Sequence, residues 1–239
     1  MFFYSHFKPP LRIVNLLLCG FLIAIHVAAH GQSADRNETG PKLRIVCVSS
    51  LSEDHEVIMS SKDEKGAWLE HGTVKLRSPL ITEWFPAKSG EMHLAQRGAD
   101  GLVSICRFTY PADTRRALLV LLPQKEGKSY LADVINPDKL KLAQGSTLLV
   151  NYSSTPASVM LGTRRANVKP GERAVVKPEP ESNGMFRMLV GFTDKSDKLA
   201  VCYDRYVPHS TDSRDMLMLF PDPILGLRVF SLAEFGPYE

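Results

Sequence analysis

The chain has 239 residues, of which 44% are hydrophobic and 23% charged, with a formal net charge of +3. That balance excludes a disordered chain and an integral membrane bundle, and the length suits one large core or two ordinary ones. Basic residues form only doublets, Arg115-Arg116 and Arg164-Arg165, so no basic stripe marks nucleic acid as a partner.

Residues 1–12 carry Lys8 and Arg12 and no acid, residues 13–29 are nearly all apolar, and Val27-Ala28-Ala29 closes the run with small residues. This is the pattern of a signal peptide over 1–29, cleaved before His30. An uncleaved anchor over 13–29 is the alternative, and it would be the one route to a membrane. Cleavage removes two bases and leaves 27 basic against 26 acidic residues. An exported protein, periplasmic or extracellular, meets an oxidising compartment, and three cysteines remain, Cys47, Cys106 and Cys202.

Residues 30–41 are polar and Gly-containing and read as a flexible leader. Short β-branched runs then follow at Leu43–Ser49, Glu56–Met59, Thr73–Leu76, Leu80–Phe85, Glu91–Gln96, Leu102–Tyr110, Ala117–Leu122 and Tyr130–Ile135, separated mostly by Gly, Pro, Asp and Ser. None has sustained helical periodicity, so an all-β sandwich or barrel is expected.

The series repeats. Leu148–Ser154 matches Ile45–Ser50 in kind at an offset of 104, and Val168-Lys169, Pro180 and Asn183-Gly184 follow Val74-Lys75, Pro86 and Ser89-Gly90 at 94. Cys202 and Tyr206 follow Cys106 and Tyr110 at 96, and Phe220-Pro221 follows Leu122-Pro123 at 98. An offset held across separate strands and turns predicts two tandem immunoglobulin-like β-sandwiches related by internal duplication, at 42–138 and 146–235, joined by a linker over 139–145. The fall from 104 to 94 places about ten extra residues in the first copy, at Ser61–Glu70, as a longer loop carrying Trp68. The Gly of Ser89-Gly90 and of Asn183-Gly184 is expected to turn a hairpin.

The repeated Cys and Tyr strand carries apolar residues on both faces, which predicts a place in the middle of its sheet. Cys47 and Cys106 can be a structural disulfide or two small buried side chains. Asn151, standing at the place of Cys47 in the second copy, leaves Cys202 without the equivalent partner and favours the buried side chains. Tyr110 and Tyr206 follow their cysteines by four residues, unlike the Tyr of a tyrosine corner, so packing with a bonded hydroxyl is expected. Asn37 and Asn151 each begin a glycosylation sequon.

Nothing in the sequence supplies catalytic residues. There is no G-x-S-x-G elbow and no Walker loop, and His55, His71, His93 and His209 form no metal-ligand spacing, so no cofactor or metal is expected. The carboxylates of Glu53, Asp54, Asp63, Glu64, Glu179 and Glu181 fall in predicted loops without a motif. Among the aromatics Trp68, Trp84, Phe85 and Phe108, Trp68 is the candidate contact residue, because it sits where the two copies differ.

Val150-Asn151-Tyr152-Ser153, Ser158–Gly162 and Val168–Glu172 resemble secreted bacterial domains of unknown function with a β-sandwich or immunoglobulin-like fold. The resemblance covers the second copy best and implies export without supplying catalytic residues. The expected role is therefore a non-catalytic binding or structural protein of the cell envelope, with a protein or glycan partner. Two alternatives stay open: a periplasmic chaperone-like protein acting by edge-strand pairing, or a hydrolase using Glu53, Asp54 or Glu179 at the domain junction.

Overall fold

The computed structural model describes residues 40–48, 55–76, 81–124, 129–193, 198–222 and 224–235. The leader and the apolar N-terminal segment, Cys19 and Asn37 among them, lie outside these residues. Among the described residues every regular element is a strand. The first eight are β1 (Lys42–Cys47), β2 (His55–Lys62), β3 (Trp68–Leu76), β4 (Phe85–Pro86), β5 (Gly90–Gly98), β6 (Gly101–Tyr110), β7 (Arg116–Pro123) and β8 (Tyr130–Ile135). The next eight are β9 (Thr147–Asn151), β10 (Ala157–Leu161), β11 (Arg164–Val168), β12 (Arg173–Val176), β13 (Met185–Thr193), β14 (Leu199–Pro208), β15 (Ser213–Asp222) and β16 (Gly226–Phe235).

The sheet orders state the duplication directly. The first copy pairs its strands as β4-β1-β7-β8 and β3-β2-β5-β6, and the second as β12-β9-β15-β16 and β11-β10-β13-β14, the same two orders with eight added to each number. In both copies the first strand runs parallel to the seventh. Cys47 lies opposite Leu121 and Asn151 opposite Leu219, so the offsets of 104 and 98 hold residue for residue. The protein is thus two tandem β-sandwiches from one repeated plan.

Each sandwich has its own core. Leu43, Ile45, Cys47, Met59, Met92, Leu94, Phe108, Tyr110 and Leu119 fill the first, and Leu149, Val159, Leu161, Phe186, Val190, Leu217 and Leu219 the second. A third core lies between the sandwiches. It takes Val46, Val48, Leu118 and Val120 from the first copy and Val150, Met216, Met218 and Phe220 from the second. By the offsets, Val150, Met216 and Met218 are the counterparts of Val46, Leu118 and Val120. The same face of each copy therefore packs on the other, as in an isologous dimer.

This explains the unbroken apolar runs Ile45–Val48 and Leu148–Val150 in and beside β1 and β9. Leu43, Ile45 and Cys47 face their own sandwich while Val46 and Val48 face the other one, so the strand is covered on both sides. Each such side chain contributes about 1.5–3 kcal/mol on burial, and Gly40–Glu239 forms one compact unit. The segment expected as a linker is part of that packing: Leu142 is buried in the third core, and Asn136 accepts from the amides of Asp138 and Lys139.

Several expectations are corrected. The repeated Cys and Tyr strands, β6 and β14, are edge strands and not central ones. Their matching also slips by one residue. In β6 the bulge leaves Ile105 unopposed, with Leu94 opposite Cys106 and Ala95 opposite Ser104; in β14 it leaves Cys202 unopposed, with Val190 opposite Tyr203 and Gly191 opposite Val201. Aligned on the bulge, Cys106 and Tyr110 correspond to Tyr203 and Val207. A one-residue slip exchanges the faces of a strand, which is why Tyr110 is fully buried while Tyr206 is 57% exposed.

The run expected at Leu80–Phe85 gives only an isolated bridge from Ile81 to Val46 and the short β4. The extra residues at Ser61–Glu70 lengthen the β2–β3 hairpin itself rather than a loop alone: β10 and β11 have five residues each, β2 and β3 eight and nine. Gly90 and Gly184 do take positive φ, 104° and 74°. They turn corners between the two sheets of a sandwich, since β4 and β5, like β12 and β13, lie in different sheets.

Candidate functional site

Cys47 and Cys106 both enter the first core, as thiols and not as a disulfide. The sheet order gives the reason. β6 packs beside β8, and β8 is two strands from β1 in its sheet, a lateral offset of roughly 10 Å at the usual strand spacing. A disulfide needs Cα atoms about 4.4–6.8 Å apart. Burial pushes the Cys106 thiol up to about 12, as it does, in direction, the thiol of Cys202.

Trp68 is half-buried at the start of β3, not in a loop. Its ring meets His93 edge-on at 5.0 Å between centroids, and Lys62 lies 4.8 Å over its face. His93 is buried, with Ser104 Oγ 2.9 Å from Nδ1 and Glu91 Oε1 3.1 Å from Nε2. Each ring nitrogen thus has a polar partner, and the Ser104 hydroxyl also lies 3.3 Å from the Cys106 carbonyl oxygen. Sequence spacing did not bring these residues together; β5–β6 pairing and the long hairpin did.

The remaining candidates are dispersed. Ser61 Oγ lies 2.8 Å from His71 Nε2, and burial, with Lys88 nearby, holds that imidazole below its ordinary value. His209 stacks edge-on against Phe186. The side chain of His55 lies outside what is described. Among the described residues no three of His, Cys, Asp and Glu are grouped to hold a metal. Glu53 and Asp54 fall outside the described residues, and Asp63 accepts from the amides of Lys65 and Ala67 in the hairpin turn. Glu179 pairs with Arg164 and accepts from Thr163, which hold its carboxyl below the usual range. The open concavity it lines contains no second carboxylate.

Asn151 is fully buried. Its amide donates to the carbonyls of Thr155 (2.8 Å) and Val168 (2.9 Å), and its oxygen accepts from the amide and hydroxyl of Ser153 (3.0 and 2.7 Å). Both amide hydrogens are engaged, so this sequon is closed to modification in the folded protein.

The site with the most developed chemistry is one that sequence reasoning missed. A narrow cleft, with a fillable volume of about 20 Å³, lies where the two sandwiches meet. Arg44, Ile81, Trp84, Arg116, Leu118 and Pro137 line it from the first copy and the connection after it, and Arg214, Met216 and Leu232 from the second. The Arg44 guanidinium carbon lies 4.5 Å from the centre of the Trp84 ring and that of Arg116 5.5 Å from it, both within cation–π range. Arg214 reaches across the copies to Asp138, Nη1 to Oδ1 at 2.8 Å. Three guanidiniums and one carboxylate therefore line a wall that is otherwise apolar and aromatic.

The register explains the asymmetry of the cleft. Arg116 and Arg214 are counterparts, as are Leu118 and Met216, so the plan of the cleft belongs to both copies. Leu148 stands where the first copy has Arg44. Phe85 lies opposite Leu43 and Val176 opposite Thr147, so the counterpart of Trp84 is Val175, itself paired with Leu148. The Arg44–Trp84 pair is thus peculiar to the first copy. Arg44 Nε is buried with no hydrogen-bond partner among the described residues.

Elsewhere the junction is closed by polar contacts in which the second copy supplies the donors. Tyr152 Oη donates to Asp133 (2.6 Å), Arg173 pairs with the same carboxylate, and Arg228 donates to the Val48 carbonyl (3.1 Å). Burial and the Asp133 charge raise the Tyr152 phenol above its ordinary value. These contacts hold the walls of the cleft in fixed relation. Compared with known proteins, the chain matches no family model, and no curated protein shows significant similarity to it.

Proposed function

We propose that this is an exported, non-catalytic binding protein of the cell envelope whose protein or glycan partner engages the cleft between the two sandwiches. The observation that carries the reading is the Arg44–Trp84 pair, an aromatic and cationic feature present in the first copy and replaced by Leu148 and Val175 in the second. Where two copies of one plan differ at a concave surface, the difference serves something other than the fold. The basic and apolar start of the chain supports export. The test is capture of an envelope extract on the exported protein and on its Trp84→Ala variant. Material retained by the first and lost from the second supports the reading, and equal retention on both removes it.

A second reading is edge-strand pairing with a partner chain, favoured by β14. This ten-residue edge strand exposes Leu199, Val201 and Tyr206 at 63%, 51% and 57%. Natural proteins blunt long apolar edges unless they are used. Val201→Lys should abolish co-purification of a strand-donating subunit if this edge is the contact, and leave it unchanged if the cleft is.

A further inference from the structure

We infer that Ser104 is an activated hydroxyl and a site of covalent acylation, taking an acyl group from an aryl ester or a thioester. None of the residues that build this site lines the cleft between the sandwiches, so the assignment stands apart from it. Ser104 is exposed on β6 with its Oγ 2.9 Å from Nδ1 of His93, and Nε2 of that ring lies 3.1 Å from Glu91 Oε1. A nucleophile within reach of a base that a third group orients is the arrangement that activates a hydroxyl. A carboxylate only accepts, which assigns the hydrogen of its contact to Nε2. In the neutral imidazole Nδ1 is then an acceptor, and the Ser104 hydroxyl lies nearer to it than to the Cys106 carbonyl oxygen, 2.9 Å against 3.3 Å. The bulge sets this up. Strict alternation would put Ser104 on the face of Cys106, in the core, and the extra residue Ile105 turns it to the face of His93. Trp68, carried on the lengthened β2–β3 hairpin, packs edge-on against the imidazole at 5.0 Å, so the base is only 5% exposed while the serine stays open. Aligned on the same bulge, the second copy has Arg187, Leu189 and Val201 at the places of Glu91, His93 and Ser104, so the fold requires none of the three.

In the step, Ser104 Oγ bonds to the acyl carbon as its proton passes to His93 Nδ1. The bond from that carbon to the leaving oxygen or sulfur breaks, and the leaving group carries the proton away from the ring. The products are the Ser104 ester and a free phenol or thiol, with the imidazole neutral again and nothing oxidised or reduced. The protein cleaved before His30 is treated with para-nitrophenyl acetate, and the adducts are located by peptide mass mapping while the released nitrophenol is followed by its absorbance. The expected result is an acetyl group on Ser104, formed about a hundredfold or more faster than on Ser182, an exposed turn serine. His93→Gln should slow the labelling of Ser104 by about a hundredfold and Glu91→Gln by about tenfold, both leaving Ser182 unchanged. Ser104→Ala should remove the fast phase of nitrophenol release. Should His93→Gln fail to give the parent circular dichroism spectrum, Glu91→Gln, at a side chain that is 54% exposed, carries the test. Labelling of Ser104 no faster than that of Ser182 overturns the assignment, as does labelling in Glu91→Gln and His93→Gln at the parent rate; either result leaves the cleft reading untouched. Nitrophenol released well beyond one equivalent per chain, and lost in Ser104→Ala, keeps Ser104 as the acyl acceptor and overturns instead the reading of the protein as non-catalytic.

Discussion

Exchanging Asn151 and Cys47, counterparts in the two sandwiches, tests whether equivalent positions have acquired different work. Asn151→Cys removes two donated bonds and two accepted ones. The carbonyl of Val168 and the amide of Ser153 then lose the bond that Asn151 made, and the carbonyl of Thr155 keeps only the one from the Ser153 hydroxyl (2.9 Å). Each group left unsatisfied when buried costs about 1–3 kcal/mol, and Thr155, being only partly buried, recovers some of that from water, so the change should destabilise by about 3–5 kcal/mol. With a urea m-value of about 2 kcal/mol/M, the midpoint falls by about 1.5–2.5 M. The reverse change, Cys47→Asn, places an amide among Leu43, Ile45 and Met59 and should also destabilise. Urea denaturation followed by circular dichroism measures both. A midpoint shift under 0.5 M for Asn151→Cys would show that the buried amide does not hold the 152–155 segment, and the reasoning would fail.

Three further outcomes follow. Met218→Ala, in the core between the sandwiches, should cost about 2–5 kcal/mol and lower the stability of both copies together; a biphasic urea curve with only one phase shifted would contradict the shared core. Tyr110 donates to the Lys42 carbonyl, and burial pushes its phenol up from 10.0 to about 12. The folded state therefore keeps this proton to higher pH than the unfolded chain, so its contribution to stability is full below pH 10 and declines as the pH rises toward 12. Tyr110→Phe should flatten that decline, and an unchanged alkaline slope in urea melts would refute it. Finally, thiol titration of the protein cleaved before His30 should give three thiols after denaturation, with Cys106 unreactive in the native state; fewer than three would restore the disulfide.

The sequence by itself determined the fold class and the repeated plan. Alternating short runs bounded by Gly and Pro can bury their apolar faces only as sheets, and offsets of 104 and 98 recur because the same parallel β1–β7 pairing was built twice. It also held a signal for the third core, the unbroken apolar runs Ile45–Val48 and Leu148–Val150. β6 and β14 carry apolar residues on both faces for another reason, a bulge that shifts their faces by one residue. Such a slip is invisible in a linear match, because the bulge is fixed by hydrogen bonding to the neighbouring strand. Only the tertiary structure decided which sheet faces meet, since an apolar face states that it must be covered and not by what. The cleft follows from that choice. Arg44, Trp84, Arg116 and Arg214 are far apart in sequence and share no motif, and they become one site only when the two copies pack face to face.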